Sequence, residues 1–513
     1  MPVEVEGYQP ERWRKIANFF WDTWDMPPVQ RHYVRKIDFF IFSYSLLSYI
    51  VKSLDQNNFS NAYVSGMKDD LKLFGQERNL FTTLFNMGYL SGSVPNQFII
   101  NRVRPSLYLP FCELVWGVLT TVIAAAHSAR VIYGIRFVCG FFESALFPSF
   151  NVILGSWYAP PELGKRMALF EVSYAIAGMF SGYLMSGLYS TMNGTGGLAA
   201  WRWMFIFDGV ITIPIAFLGM LMIPDFPHTT RVPWLSKWEK EYGIRRAAEL
   251  GRVKQKPLTA AAIKEIFLKP TVYYATWPYT ANFFASYTGY FNLWLSSLKD
   301  LSVQQVNLIP TAGSALSLIS CGIMPVISDK YRIRWQFGAL SSGFCLLGAI
   351  LLSVWYLPEG VLMFANLVPN LGAPGQPIII AWMSESFQDN TELRSMIIGF
   401  GNVIDYAFQA WIPLVVYQTN QAPHYKYGYQ ISAMIYALHI ISIVMFSFHV
   451  KSYHRKRGMI MNEFGLPVPL EELGSEGSIV IRDGSSIENI EKGLDSKSLP
   501  KENVAVKVAT LDG

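Results

Sequence analysis

The chain has 513 residues, of which 51% are hydrophobic and only 15% are charged. Soluble globular domains carry about 25% charged residues, so this composition excludes an ordinary soluble protein and predicts a polytopic membrane protein. The formal net charge of +5 is too small to indicate a nucleic-acid partner. The four cysteines lie in apolar stretches without paired spacing, which predicts neither a disulfide framework nor a metal site.

Twelve apolar segments are each long enough to cross a bilayer, for which roughly 20 residues suffice. They predict an all-α integral membrane fold with 12 transmembrane helices in two six-helix halves. The predicted divisions are an N-terminal segment (1–37), the first half (38–223), a central loop (224–270), the second half (271–452) and a tail (453–513). The predicted spans cover approximately residues 38–66, 79–99, 107–127, 130–158, 166–190, 202–223, 271–296, 305–328, 336–356, 360–387, 393–419 and 429–451.

Basic residues occupy every second connection between the spans, and the central loop is strongly basic. By the positive-inside rule this pattern places both termini and the central loop in the cytosol. In that loop, WLSKWEKEYGIRRAAELG follows Pro233 and predicts an amphipathic helix against the membrane surface, with a solvated linker helix as the alternative. The sequon at Asn193 falls in an outward loop and is a candidate for glycosylation. The tail beyond Gly474 lacks apolar periodicity and is predicted to be disordered.

The fourth span carries two ionisable residues, Arg136 and Glu143, within an apolar run. They stand seven residues apart, about two helical turns, so both point along one face of the helix. Ionisable groups inside a span mark a substrate or proton pathway by default. One interpretation is an anion site at Arg136 coupled to a proton site at Glu143 or Asp55. The alternative is a permanent structural ion pair between helices.

The first span contains an acidic residue and two amides at helical spacing, Asp55, Asn58 and Asn61. Asp55 lies well inside the bilayer, because it is far from the basic residues at either end of the span. A buried carboxylate costs several kcal/mol unless it is neutralised or paired, which makes Asp55 a functional candidate. For the two asparagines, a hydrogen-bonded cluster that joins helices is the alternative interpretation.

Polar and aromatic residues recur in later spans where a cavity lining requires them. The tenth span, NLVPNLGAPGQPIIIAW, contains several Pro and Gly residues that predict an interrupted helix, which is tolerated where backbone meets protein or a water-filled cavity. Asp405 in the eleventh span is a further candidate proton carrier. The further candidates for substrate binding are Asn282, Tyr290, Trp294, Gln376, Trp382 and Asn402.

Several segments together resemble the fungal allantoate-permease family, the anion:cation symporters of the major facilitator superfamily. The resemblance extends over about residues 35 to 455 and implies a substrate site near the midplane, between two halves that rock around it. The segments that show this resemblance are LDQNNFSNAYVSGMKDDL (54–71), IRFVCGFFESALFP (135–148), GSWYAPPELGKRMALF (155–170), WRWMFIFDG (201–209) and IPDFPHTTR (223–231).

Within that family, the segment LDQNNFSNAYVSGM is most similar to the fission-yeast-type pantothenate transporters. This resemblance implies proton-coupled uptake of a small carboxylate, with pantothenate as the leading candidate and biotin, allantoate, ureidosuccinate, nicotinate or a sulfur-containing acid as alternatives. Arg136 and Glu143 match the family's RFxxGxxE pattern, and Asp55 with Asn58 match its acidic-plus-Asn pattern. Many relatives have a basic residue where Gln56 stands here, so the resemblance puts more of the anion binding on Arg136.

The sequence therefore predicts a plasma-membrane symporter that works with protons as the coupling ion and without a cofactor. Its expected partners are a small organic anion, protons and the lipid bilayer, with no nucleic acid, and the chain is expected to be monomeric. An enzyme is not predicted, since the sequence has no metal-ligand spacing, nucleophile elbow or phosphate loop. A nutrient sensor that signals through the tail, or an organellar exporter, remain alternatives.

Overall fold

The computed structural model describes residues 22–24, 26–100, 102–249, 268, 270–284, 287–387, 391–456, 459–461 and 467–469. Within these ranges, helices form the twelve predicted spans. The spans of the first half are Pro28–Asp70, Glu77–Ile100, Pro105–Ile123, Ala129–Trp157, Pro160–Met192 and Ala200–Met222. The helices of the second half are Pro270–Phe284 with Phe291–Leu295, Val303–Tyr331, Arg334–Val354, Glu359–Leu367 with Gly375–Ser386, Thr391–Val415 and Gly428–Lys456.

Seven of these spans are long and apolar enough to cross a membrane by length and composition alone. The others include the interrupted spans 7 and 10. In span 10 the two helices are separated by a 3-10 turn at Val368–Gly372, as the Pro and Gly residues predict. Span 4 is also interrupted, since its helices end at Glu143 and resume at Leu146. Pro148 lies four residues after Ser144, so it has no N–H to donate to the Ser144 carbonyl and its ring clashes with that carbonyl.

Span 1 is longer than predicted. It starts at Pro28, within the predicted N-terminal segment, and two π-helical turns, Asp38–Phe42 and Tyr63–Met67, flank the helix Ser43–Ala62. The second of these turns contains Gly66 at φ +108°, a backbone conformation that glycine adopts readily. Backbone irregularity at membrane depth is tolerated only where it is buried in protein or borders a cavity, so the interrupted spans are those expected to border the transport path.

Small residues bring neighbouring spans into backbone contact. A Cβ added at Gly140 of span 4 would lie 2.1 Å from the carbonyl oxygen of Phe85 in span 2, and one added at Gly88 would lie 2.0 Å from that of Phe137. Such contacts between small residues are the usual basis of close helix packing in membranes. Spans 2 and 4 are therefore held at a fixed separation and rotation, which fixes the direction of the charged side chains of span 4.

One end of the molecule, called here the linker face, contains the ends of spans 1 and 5 and the linker helix Lys237–Glu249. The predicted helix is confirmed, and one of its faces packs on the protein. Glu239 accepts hydrogen bonds from Lys36 at 2.8 and 2.9 Å, and Arg246 pairs with Glu162. Glu239 and Arg246 are two turns apart and share the docked face.

The last helix ends at Lys456, and two short strands follow, β1 (Met459–Met461) and β2 (Pro467–Pro469), which pair antiparallel. The segment from residue 453, predicted as a disordered tail, therefore begins with helix and a two-stranded ladder. Residues 470–513 lie outside the described part of the chain.

The two halves are hydrogen-bonded to each other at the end away from the linker helix, called here the opposite face. Asn292 donates to Asn61 at 2.6 Å, and Asn307 donates to Ser65 at 2.8 Å. Asn79 of span 2 donates to carbonyl oxygens near the end of span 11, at 2.8 and 2.6 Å. The described state is therefore joined at the opposite face.

Candidate substrate and proton site

Arg136 is a buried cation on span 4 that points at span 1. Its guanidinium carbon lies 4.2 Å from the ring centroid of Phe59 and 4.3 Å from that of Phe85, so the cation is sandwiched between two aromatic faces. Nη1 is 3.6 Å from Oδ2 of Asp55. No hydrogen bond accompanies this charge contact, and Nε and Nη1 of Arg136 have no partner among the described residues. The guanidinium keeps donors available for an acceptor oxygen.

A second buried arginine of the same chain shows what a permanent structural pair looks like. Arg166 at the linker face donates from Nε and Nη2 to the two carboxylate oxygens of Asp38, at 2.6 and 2.7 Å. This two-bond fork is the strong geometry for Arg and carboxylate. Neither oxygen of Asp55, in contrast, is hydrogen-bonded to Arg136. The Arg136–Asp55 contact is therefore looser than the structural pair at Arg166.

Glu143 lies on the same face of span 4 as Arg136, as predicted, and it also meets span 1. Its Oε1 accepts a hydrogen bond from Gln56 at 2.7 Å, while Nζ of Lys52 stands 3.9 Å from the same oxygen. Oε2 has no partner among the described residues. Glu143 is thus a fully buried carboxylate with one paired and one unpaired oxygen.

Lys52 is a second buried cation near the site, and the sequence analysis did not name it. It is 4% exposed, and its ammonium lies 5.2 Å from the ring centroid of Tyr49 and 5.5 Å from that of Tyr89. The sequence carried a signal for this residue, because a lysine three residues before Asp55 is a mid-span cation on nearly the same helix face. Lys52, one helical turn before Gln56, supplies the positive charge that many relatives have at the Gln56 position.

Two further buried acids were missed by the sequence analysis. Asp208 on span 6 is fully buried, neither of its oxygens has a hydrogen-bond partner in the described structure, and it interacts electrostatically with Asp55. Glu113 on span 3 is also fully buried and accepts a hydrogen bond from Tyr44. Each is an acidic residue inside an apolar run, the same signal that identified Glu143.

The asparagines of span 1 follow the alternative interpretation and join helices. Ser181 of span 5 donates to Oδ1 of Asn58 at 2.7 Å and accepts from Asn61 at 2.7 Å. Asn61 in turn accepts the bond from Asn292 of span 7. Nδ2 of Asn58 has no partner among the described residues, so its role in substrate binding stays a prediction.

Two aromatic candidates lie toward the opposite face, away from Arg136. The ring of Tyr290 stacks on Tyr417, with centroids 4.7 Å apart. Trp294 stacks on Phe291 at 5.9 Å and is 3% exposed. Both residues lie near the hydrogen bonds that join the halves, so the structure places them at this contact.

The other candidates of the second half lie on spans 10 and 11. Trp382 packs edge-on against Phe446 of span 12, with ring centroids 4.7 Å apart. Asp405 is buried and accepts a hydrogen bond from Gln409 at 2.9 Å. Gln376 and Asn402 are half-buried, whereas the side chain of Asn282 lies outside the described part of the chain.

The sequon residue Asn193 is exposed at the opposite face, between spans 5 and 6. Its Oδ1 accepts a hydrogen bond from the backbone N–H of Ala200, at 3.0 Å, and so caps the start of span 6. Its glycosylation stays a prediction.

The structure brings four buried charged side chains of the first half together, namely two cations and two acids. Arg136 contacts Asp55, and Lys52 contacts Glu143. Uptake of one proton and one monovalent anion leaves the net charge of this group unchanged. Buried charge is stable only when it is balanced, so the arrangement suits the joint binding of an anion and a proton.

Solved structures with the same architecture include the proton:xylose symporter XylE from E. coli, with a TM-score of 0.60 at 13% identity over 80% of this chain and 95% of that one. A bacterial homologue of the human lysosomal transporter Spinster, in an inward-facing conformation, matches with a TM-score of 0.53 at 13% identity, over 81% and 96% of the two chains. At such identity the likeness shows the fold alone.

Sequence relatives cover most of the chain. The pantothenate transporter liz1 of Schizosaccharomyces pombe is 32% identical over 86% of each chain. The pantothenate transporter FEN2 of Saccharomyces cerevisiae is 30% identical over 82% of this chain and 85% of its own. The vitamin H transporter of the same yeast is 27% identical over 84% and 74%. The similarity to pantothenate transporters is confirmed, whereas the allantoate-permease branch stays a prediction.

The family model described as Major Facilitator Superfamily matches residues 45–413, from span 1 to the end of span 11. Together with the two six-helix halves, this match makes the protein an integral membrane transporter of a small molecule and not an enzyme. The chain belongs to the Major Facilitator Superfamily.

Proposed function

We propose that the protein is a proton-coupled symporter that imports a small organic carboxylate, with pantothenate as the leading candidate. It works as a monomer in the plasma membrane, with both termini in the cytosol and with no cofactor besides the coupling proton. The observation that carries the proposal is the buried Arg136, whose guanidinium meets Asp55 only through a 3.6 Å charge contact and keeps unpaired donors. Arg is always charged in proteins, so a substrate carboxylate is a fitting partner.

Glu143 and Asp55 are the proposed proton carriers, with Asp405 as the third candidate. All three are buried, and burying a carboxylate is costly unless it is paired or protonated. A proton and a carboxylate that enter together neutralise each other's charge, so the halves can rock around an uncharged load. In the described state the halves are joined at the opposite face, which is the arrangement for release at the linker face.

The choice of pantothenate rests on the relatives, since two of them are named as pantothenate transporters. Biotin is the second candidate, because a third relative is named as a vitamin H transporter. Both vitamins are monocarboxylates, so both satisfy the chemistry of Arg136. Since both carry the same charge, discrimination between them depends on the polar and aromatic residues of the site.

The test is uptake of labelled pantothenate by a yeast strain that lacks its own pantothenate carrier and expresses this chain. We expect accumulation that increases as the external pH falls and that excess unlabelled pantothenate abolishes. Competition by biotin, allantoate or nicotinate at lower concentration would move the assignment to that acid. Loss of pantothenate uptake on deletion of residues 474–513 would favour a sensor, and a vacuolar fluorescent fusion would favour an exporter.

A further inference from the structure

Lys52 carries a buried ammonium that has no role in the transport cycle proposed above. It lies in the helical part of span 1 and its side chain is 5% exposed, whereas that of Glu143 is fully buried. Among the described residues, Glu143 is the one carboxylate within 4 Å of its nitrogen. Removing a lysine charge from water without compensation is expensive, so the Lys52 charge depends on Glu143.

The contact between Lys52 and Glu143 is a charge contact without a hydrogen bond. The separation of Nζ and Oε1 is 3.9 Å, beyond hydrogen-bond distance, and Gln56 already donates to that oxygen at 2.7 Å. The aromatic faces of Tyr49 and Tyr89 lie more than 5 Å from the ammonium. Span 1 thus positions Lys52, but no hydrogen bond ties its ammonium to Glu143. A substrate oxygen can therefore replace Glu143 as the partner of the ammonium.

Lys52 also lies at the boundary between the halves. The ring of Tyr89 on its far side stacks on Tyr406 of span 11, with ring centroids 3.8 Å apart and planes 14° from parallel. A carboxylate bound at the ammonium would therefore lie between side chains of both halves, which is where the fold holds its cargo.

We propose that Lys52 is a second binding group for the substrate carboxylate and that ionised Glu143 keeps it occupied until substrate and proton bind. While Glu143 is ionised it compensates the Lys52 charge, and once Glu143 carries a proton the ammonium becomes available to the substrate. This inference rests on the proposed function, because it names the group through which proton binding and carboxylate binding are coupled.

The step balances in charge and atoms. A proton from the solution forms an O–H bond at Oε2 of Glu143, the oxygen without a partner, while Gln56 keeps its bond to Oε1. No other bond breaks, and the negative charge lost from Glu143 is replaced by that of the carboxylate. The titratable and charged groups near the pair, which also set its pH dependence, are Tyr49, Asp55, Tyr89, Arg136, Cys139, Asp208 and Tyr406.

The experiment measures binding of labelled pantothenate to the purified full chain in lipid nanodiscs between pH 5 and 8, for the wild type, Lys52→Gln, Glu143→Gln and the double variant. For Lys52→Gln we expect affinity at low pH to fall about 10- to 100-fold, as for loss of a hydrogen bond to a charged group, and its pH dependence to disappear. Glu143→Gln should bind at every pH as the wild type does at low pH. The double variant should match Lys52→Gln, because Glu143 acts through Lys52.

Lys36→Gln is the matched control, since Lys36 also pairs with a glutamate, Glu239, but at the linker face. It should bind like the wild type. Lys52→Arg keeps the charge and should bind more tightly at low pH than Lys52→Gln does, which separates loss of charge from misfolding. Wild-type affinity and pH dependence in Lys52→Gln would overturn this inference but not the proposed function. So would a double variant that binds more tightly than Lys52→Gln at pH 8, because the gain from Glu143→Gln would then not depend on Lys52. A wild type that binds no carboxylate would overturn the proposed function and this inference with it.

Discussion

Gly182 of span 5 packs against span 8 of the other half, and its replacement by alanine should separate the two halves at the opposite face. An added Cβ would lie 2.5 Å from Cγ2 of Thr311 and 2.6 Å from the backbone oxygen of Asn307, both on span 8. A backbone oxygen cannot move aside unless span 8 moves as a whole. Overpacking costs about 1–3 kcal/mol. This corresponds to roughly a 5- to 150-fold shift in the ratio between the conformation joined at the opposite face and the one separated there.

The assay is the distance between spin labels on Thr195 and Lys299, two exposed residues at the opposite face, one in each half. The four native cysteines are first replaced by serine. Gly187→Ala is the matched control, because Gly187 is on the same helix and an added Cβ there meets nothing within 4 Å.

In Gly182→Ala the population with the longer distance should increase at least about fivefold, while Gly187→Ala should match the parent protein. Gly178→Ala should have a smaller effect, because its nearest neighbour is the rotatable hydroxyl of Ser314, at 2.7 Å. Equal distance distributions in Gly182→Ala and Gly187→Ala would refute the assignment of this contact to the conformational change.

The remaining predictions concern the proton and the linker helix. With one proton bound for each substrate, as proposed, log Kd of the wild type should rise by about one per pH unit where that proton is released, and Glu143→Gln should flatten this dependence; an unchanged slope would assign the proton to Asp55 or Asp405. Burial raises the pKa of Glu239, but the hydrogen bonds from Lys36 and Ser236 outweigh burial and hold it below 4.5. Docking of the linker helix is therefore stabilised above pH 4.5 and weakened as the pH falls through the lowered pKa. The protection of amides 237–249 against hydrogen exchange, relative to the intrinsic exchange rate at each pH, should fall below pH 4.5 and, at neutral pH, in Glu239→Gln. Equal exchange in wild type and Glu239→Gln at neutral pH would contradict this role for the pair.

The span pattern could be read from sequence because a bilayer demands long apolar helices, and the twelve segments meet that demand. The break in span 10 was predictable from its Pro and Gly residues. The break in span 4 also has a signal in the sequence, because Pro148 has no N–H to donate to the carbonyl of Ser144 and its ring clashes with that carbonyl. Asn96 of span 2 donates to the carbonyl of Phe141 and to the hydroxyl of Ser144, both at 2.7 Å. Those bonds satisfy the backbone where the helix ends.

At the site, sequence spacing placed Arg136 and Glu143 on one face, but it could not tell which residue each would meet. That depends on the rotation of span 1 against span 4, which the backbone contacts of spans 2 and 4 help to fix. Lys52 was therefore missed as the neighbour of Glu143. The protein contact of the linker helix could not be predicted for a similar reason, since an amphipathic pattern does not distinguish a membrane surface from a protein surface.

The central claim is that a carboxylate binds at Arg136, and calorimetric titration of pantothenate into the purified protein at pH 5 tests it most directly. Arg136→Met removes the charge, and Arg130→Met, at an exposed position on the same helix, is its control. The account predicts binding to the wild type and to Arg130→Met, with a loss of at least about 30-fold in a folded Arg136→Met. Wild-type affinity in Arg136→Met would contradict the account.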